Sequence, residues 1–283
     1  MSTGPAARTA GPISRSIPLI AGLPIPPRSA SRRSFTPNAV LAERHDLTPD
    51  VARLAVRPDS PVPAFQPGQY FALGLALDDV PVLRPYSTAS PRGAVRTLDF
   101  LVRRVPTGTL TPVLWNLTVG ERLWIGAPKG LFLLKPNDRR THLLVSAGTG
   151  IAPFISMLNQ LIGSGTRVVV AHGVSYASEL AYRSWLESVA AAHAEVLYVP
   201  TVSRPDAPQN AGWTGRSGRV EHALPSICEE LALDPADTVA YLCGNPEMVA
   251  RSRETLLAHG LAGDAIVHEN YWASTKGEGP DPA

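Results

Sequence analysis

Two hydrophobic patterns divide the chain. Between residues 35 and 138, short apolar runs are separated by Gly/Pro turns: VARLAVR (51–57), QYFALGLAL (69–77), TLDFLVRRV (97–105) and RLWIGA (122–127). Short extended runs at this spacing predict a small antiparallel barrel or sandwich. One stretch differs: after Gly108, positions 110–117 carry a pattern that suits a single short helix. From residue 139 onward, strands alternate with helices. LLVSAG (143–148), RVVVAHGV (167–174), EVLYVPTVS (195–203), VAYLCG (239–244) and AIVHENYW (265–272) read as strands. IAPFISMLNQLI (151–162), ELAYRSWLESVAAA (179–192), VEHALPSIC (220–228) and PEMVARSRETLLAHG (246–260) read as helices between them. Continuous apolar strands alternating with amphipathic helices predict a parallel sheet covered on both faces, with ligands bound at the carboxyl ends of its strands. The fold class is therefore all-β plus α/β: an N-terminal antiparallel β-barrel over 35–138, then a Rossmann-like parallel α/β domain over 139–272. Residues 1–34 form an extension, and the polar, Pro/Gly-containing ASTKGEGPDPA (273–283) reads as a flexible tail.

Composition agrees with two domains. At 283 residues, with 44% hydrophobic and 18% charged positions, the chain can bury a core in each half. No apolar run approaches the ~20 residues that span a bilayer. Only Cys228 and Cys243 are present, too few for a four-cysteine iron–sulfur centre and no basis for a disulfide framework, so a reducing, cytoplasmic setting is expected. The net charge of +2 conceals an uneven split: Arg8, Arg15, Arg28, Arg32 and Arg33 all precede the first acidic residue, Glu43. The basic excess belongs to the extension and gives no support to nucleic-acid binding. That Arg/Ser/Ala/Pro-rich, acid-free stretch has the composition of a transit peptide, but Pro12, Pro18, Pro24, Pro26 and Pro27 oppose the amphipathic helix such a peptide needs, and a disordered extension or an upstream start codon explains it as well.

Four stretches carry candidate chemistry. RPYSTAS (84–90) combines a guanidinium fork, an aromatic face and small hydroxyls, contacts that a flavin nucleotide needs and that a surface turn can also contain. SAGTGIAPF (146–154) falls where a strand gives way to a helix. Gly148 and Gly150 admit close backbone approach there, and the first helical turn offers free N–H groups. In CGNPEMV (243–249), Gly244 allows a tight turn, Asn245 caps and Pro246 opens a helix; Cys243 is either a buried core residue or a soft group held against a reacting ring. The loop SRPDAPQNAGWTGRSGR (203–219) holds Arg204, Arg216 and Arg219, which suit a ribose 2′-phosphate or are solvated loop charges.

Taken together and in order, RPYS, GTGIAP, CGNP and an aromatic Tyr-Trp after the last strand resemble the ferredoxin/flavodoxin–NADP(+) reductase family, bacterial type, over residues 35–272. The resemblance implies FAD in the barrel and NADPH in the α/β domain. It places Arg84 on the FAD pyrophosphate, Pro85 and Tyr86 against the flavin, and Ser87 near flavin N5. Leu101 and Val102 line the ribityl side. Gly108, Thr109, Leu110 and Thr111 match the segment whose backbone N–H groups meet the pyrophosphate, and Thr149 reaches the flavin from the second domain. Gly173, Val174, Gly244, Asn245 and Pro246 contact NADPH, with Arg204 and Arg216 at its 2′-phosphate. Cys243 stands near the nicotinamide, and Tyr271 and Trp272 lie over the flavin or its adenine, as a gate that must move before the nicotinamide docks. Ser87, Tyr86, Cys243 and Tyr271 form the catalytic set, and no metal is implied.

The chain departs from the family pattern in three places. HGVSY puts Ser175 where an arginine is usual, the chain continues past Trp272, and the loop before Arg219 looks long enough for Arg219 to share the role of Arg216. The implied activity passes hydride from NADPH to FAD and then single electrons to ferredoxin or flavodoxin, a transient electrostatic partner of a monomer with no nucleic-acid or membrane role. Arg103, Arg104, Arg139 and Arg140 are candidates for steering that partner, or are solvated faces. The alternatives are an NAD(P)H-dependent reductase component of an oxygenase, a free-flavin reductase, or a module that holds FAD without turnover.

Overall fold

The computed structural model describes Met1 and residues 35–93 and 95–271. The extension (Met1 apart), Trp272 and the tail 273–283 lie outside the described residues. Strands β1 (Ala39–Thr48), β2 (Val51–Pro58), β3 (Tyr70–Leu77), β4 (Val80–Ser87), β5 (Leu98–Arg103) and β6 (Arg122–Ile125) form an antiparallel sheet in the order β4-β3-β6-β1-β2-β5. Its two edges meet at a bridge between Thr88 and Phe100, where Ala89 N–H also donates to Asp99 O at 2.8 Å, and the sheet closes into a barrel. Inside it pack Leu41, Leu54, Phe71, Leu73, Leu98, Phe100 and Val102. The hairpin joining β3 to β4 turns on Asp78 and Asp79, both left-handed at φ 49° and 62°, as a tight turn matched to the strand twist requires.

RPYS is thus the end of a strand, with only the following residues turning away. β4 carries Pro81 and Pro85 because it is an end strand of the sheet, where a missing N–H costs no ladder hydrogen bond. The short helix also exists, as α1 (Thr111–Trp115).

The second sheet contains β7 (Thr141–Ala147), β8 (Val168–Val174), β9 (Val196–Val202), β10 (Arg216–Ser217), β11 (Thr238–Gly244) and β12 (Ile266–Asn270). All are parallel, in the order β10-β9-β8-β7-β11-β12. Helices α2 (Ala152–Leu161) and α3 (Arg183–Ala192) cover one face; α4 (Val220–Glu230) and α5 (Pro246–Ala258) cover the other. Strand alternation sends Leu144, Val170, Tyr241 and Cys243 to the first face and Leu143, Val145, Val169 and Leu242 to the second. The first face continues into the barrel lobe through Val51, Ala89, Leu101 and Phe132, so the two lobes share one apolar core.

Two helices differ from the periodicity. The 151–162 pattern begins with a 3₁₀ turn, Gly148–Ile151, before α2. The 179–192 pattern breaks at Tyr182, which is left-handed at φ 60°; a 3₁₀ turn, Ala177–Glu179, precedes the break and α3 follows it. No helix among the described residues is long and apolar enough to cross a membrane.

Candidate active site between the lobes

The α/β chain starts at the centre of its sheet, builds outward from β7 to β10, then returns to lay β11 on the other side of β7. The carboxyl ends of β7 and β11 therefore form a topological switch point, the place where a parallel sheet opens a crevice for ligands. Both glycine turns lie there and interlock. A Cβ on Gly150 would stand 2.2 Å from Cys243 O, and one on Gly244 would stand 2.8 Å from Met248 Cε and 3.1 Å from Ala147 N. Asn245 caps α5, its Oδ1 accepting from Met248 N–H at 2.9 Å, and Pro246 takes the first helical position.

His172, fully buried, supports the first of these turns from below. Its Nε2 donates to Gly148 O at 3.0 Å, and the Tyr198 hydroxyl lies 3.5 Å from Nδ1. Burial pulls its pKa down from an ordinary 6.5 to about 4, with the Gly148 contact partly opposing the shift. The native ring is therefore neutral, while the unfolded chain protonates it near 6.5. The contribution to stability is full above the unfolded value and is lost as pH falls toward the folded one, about 3 kcal/mol across that window. Denaturant unfolding of His172→Gln between pH 7 and 4 should show a flatter pH dependence than wild type; parallel curves would exclude the linkage.

The candidate groups of the second lobe meet the barrel at Ser87. Cys243 is fully buried and pairs in register with Glu269 on β12. Period-two alternation puts Tyr271 on the same side as Glu269, and its N–H donates to Gly244 O at 2.7 Å. From the other lobe, Ser87 at the end of β4 donates its hydroxyl to Glu269 Oε2 at 3.1 Å. Among the described residues, the buried Tyr271 hydroxyl, beside Ser87, Cys243 and Glu269, has no hydrogen-bond partner, and neither has the buried Oδ1 of Asn270. Burial raises the Glu269 carboxyl above the ordinary value, with Ser87 pulling the other way. Burial, then Glu269, holds Cys243 as a thiol, and burial also raises Tyr271. Glu269 escaped the motif reading, although an acid two residues before Tyr271, near the end of the last strand, was the available signal.

The barrel residues fall into three groups. Arg84 is exposed and, among the described residues, donates only to its neighbour's carbonyl, Leu83 O, at 2.7 Å, beside the exposed Pro85. Tyr86 packs against the barrel core, which raises its phenol. Val102 points into the barrel core and Leu101 into the shared core, so this segment offers its backbone to a ligand. At the start of α1 the Thr111 hydroxyl is engaged by Val105, accepting from its N–H at 3.0 Å and donating to its O at 3.1 Å. The N–H groups of Thr109, Leu110 and Thr111 meet no acceptor among the described residues. Gly108 N–H turns back to Val105 O at 2.8 Å.

At the outer end of the crevice, Gly173 abuts α4: its Cβ position lies 2.8 Å from Val220 Cβ. Val174 is buried with Leu180, Val202 and Trp213. Arg204 donates to the Tyr176 hydroxyl at 2.7 Å. Arg216 lies against the second half of α4, bonded to Ser226 Oγ at 2.8 Å and Glu230 Oε2 at 2.5 Å. Arg219, at the start of α4, stands 3.6 Å from Glu221 and 3.8 Å from Glu247 at the start of α5. The four arginines considered for steering are engaged: Arg103 with Glu179 at 2.7 Å, Arg104 with Asp50 at 4.0 Å, Arg140 with Asp138 at 2.6 Å and Arg139 with Ser164 O at 3.3 Å. They do not form a free basic patch. The described residues contain no group of three or more acidic, His or Cys side chains placed to hold a metal.

Two family profiles match the chain: an oxidoreductase FAD-binding domain over residues 38–133 and an oxidoreductase NAD-binding domain over residues 144–254. Ferredoxin–NADP reductase B of Sorangium cellulosum (strain So ce56) is 35% identical over 224 residues, covering 77% of this chain and 88% of that protein. The chain belongs to the ferredoxin–NADP reductase family. The family's enzyme from Pseudomonas aeruginosa is 32% identical over 213 residues, 70% of this chain and 80% of its own. The crystal structure of a ferredoxin NADP+ reductase from Neisseria gonorrhoeae with bound FAD and NADP superimposes with a TM-score of 0.72, at 27% identity, covering 84% of this chain and 98% of that one. The reductase component of phenol 2-monooxygenase from Pseudomonas sp. (strain CF600) is 28% identical over 83% of this chain, which spans 65% of that protein.

Proposed function

We propose that this member of the ferredoxin–NADP reductase family takes hydride from NADPH onto bound FAD and passes the electrons singly to ferredoxin or flavodoxin, as a cytoplasmic monomer that meets its carrier transiently. The observation that carries the reading is the seam where Ser87 of one lobe and Cys243, Glu269 and Tyr271 of the other converge, tied by the Ser87–Glu269 hydrogen bond.

The residues present fit both cofactors. Among the described residues the N–H groups at 109–111 meet no acceptor and Arg84 pairs with no acid, which suits a pyrophosphate on the barrel, while the unpartnered Tyr271 hydroxyl lies at the seam where two rings would meet. FAD supplies two-electron acceptance and one-electron release when bound. In the flavin half, taken as 35–138, Tyr86 and Ser87 would hold the flavin ring, and the backbone at Leu101, Val102 and Gly108 would hold its chain. In the dinucleotide half, taken as 139–272, the interlocked turns at Gly150 and Gly244 hold the NADPH backbone, with Thr149 reaching toward the flavin and Asn245 and Pro246 beside the nicotinamide. Gly173, Val174 and Arg204 line the outer crevice. The 2′-phosphate falls to Arg204 with Arg219, since Arg216 lies back along α4. Cys243 offers an uncharged, polarizable sulfur, Glu269 orients Ser87, and Tyr271 excludes water until it yields to the nicotinamide.

Similarity to the phenol 2-monooxygenase reductase component favours a second reading, in which the acceptor is a partner enzyme. One experiment covers both. NADPH added anaerobically to the yellow protein should bleach it, and ferredoxin or flavodoxin should restore the colour far faster than free flavin drains it. A protein that NADPH leaves yellow is not a reductase; one that bleaches but serves no carrier belongs to the second reading.

A further inference from the structure

We infer that Glu179 is a positioning residue, clamping the loop after β8 to the end of β5 through Arg103 and so setting how the dinucleotide-binding and flavin-binding faces meet; this rests on the reading above. Glu179 is 8% exposed, and all its bonds are made inside the protein. Its Oε1 accepts from Arg103 Nη2 at 2.7 Å; its Oε2 accepts from Ser175 N–H at 3.1 Å and Tyr176 N–H at 3.2 Å. The second oxygen caps the local 3₁₀ turn, a task that needs nothing from the barrel. The first oxygen has no part in that cap and crosses to the other lobe.

Both ends of the bridge are functional ground. Arg103 closes β5 directly after Leu101 and Val102, and its Nη2 lies 3.8 Å from where a Cβ on Gly148 would be. The Gly148 turn is thus bonded by His172 and lies beside Arg103. On the far side, the loop held by Glu179 is tied in turn to the loop after β9. Asn210 accepts from Ala177 N–H at 2.7 Å and donates to Ser175 O at 3.1 Å and Arg204 O at 2.7 Å. The loops after β8 and β9 therefore move together, and Glu179 with Arg103 fastens the pair to the flavin lobe. The lobes do not depend on this bridge to stay packed, because the shared core and the bond from Ser156 to Ser90 O at 2.6 Å hold them elsewhere. That separation of duties marks a device for alignment. A carboxylate buried and bound to three donors is also stiff, as alignment requires.

Glu179→Gln keeps the volume and an oxygen for the two backbone donors but removes the charge facing Arg103; Arg103→Met removes the bridge from the other end. Both holoproteins should retain FAD. At saturating NADPH each should bleach about tenfold more slowly, with dinucleotide affinity changed less than about threefold, since misplacement of reacting groups acts on the chemical step. The double variant should be no slower than either single one, as expected for one unit. Hydrogen exchange on the apoprotein gives a reading free of turnover: Arg103→Met should speed exchange at the Ser175 and Tyr176 amides, whose acceptor it never touches. Unchanged exchange there, wild-type bleaching rates in both variants, or losses that multiply in the double variant would each overturn the clamp. A wild-type protein that NADPH does not bleach overturns the functional reading and the clamp's alignment role together.

Discussion

Ser87→Ala is expected to slow bleaching of the flavin by NADPH about a hundredfold while leaving FAD content at the wild-type level. Ser87 is 4% exposed and ends the strand that also carries Arg84 and Tyr86, so loss of its hydroxyl leaves the strand, its register with β3 and the barrel core intact. What disappears is the single side-chain bond between Ser87 and Glu269, 3.1 Å long, which crosses from one cofactor lobe to the other at the reacting seam. The substitution also strands the Glu269 carboxylate. Ser87 is the group that pulls its pKa down against burial, so without the hydroxyl Glu269 moves further up and protonates more readily. On the proposed function two effects then combine in the same direction: the seam loses a fixed hydroxyl, and it loses the charge on which that hydroxyl was oriented. Stopped-flow bleaching at saturating NADPH separates these from binding. A rate near wild type, or a protein that has merely shed its flavin, would move Ser87 from the chemistry to cofactor retention.

The parts of this site that were legible in the sequence share one property: the chemistry sits in a contiguous motif. RPYS, GTG and CGNP each announce a turn or strand end and bring their own neighbours. Parallel-sheet topology then places the two glycine turns together, because β7 and β11 are adjacent wherever such a sheet reverses direction. Glu269, His172 and Glu179 were not legible, for a common physical reason. Each acts across a long sequence separation, on Ser87, Gly148 and Arg103 respectively, and a partner that distant leaves no local pattern in the sequence. Arg216 shows the converse. Its motif position matches the phosphate ligand that the resemblance implies, while in the structure its guanidinium bonds Ser226 and Glu230, two and three turns along α4. Strand β1 escaped notice because AVLAERHDLT carries three charged residues, Glu43, Arg44 and Asp46, across a half-exposed barrel wall, so its alternation is blurred.

Gly150→Ala should be among the most damaging single changes available in the α/β lobe, lowering unfolding free energy by about 4 kcal/mol or more. The reason is space alone. Gly150 has an ordinary backbone conformation, unlike Gly148 at φ 56° or Gly163 at φ 74°. An added methyl would nonetheless fall 2.2 Å from Cys243 O and 2.7 Å from its carbonyl carbon, both backbone atoms of a central strand that cannot swing aside as a side chain would. Relief must come from pushing β11 away from the turn that follows β7, in the buried centre of the sheet and at Cys243 and Gly244, which the proposed function assigns to the dinucleotide. Stability and NADP+ affinity should therefore fall together. Gly163→Ala is the informative control: nothing lies within 4 Å of its Cβ position, so it bears only left-handed strain, roughly 1–2 kcal/mol. Thermal melts should place Gly150→Ala roughly 10 °C or more below wild type and Gly163→Ala only a few degrees below. If the two variants melted alike, the interlocked turns would not be what fixes the switch point, since a methyl at Gly150 would then have been accommodated no less easily than one in open solvent.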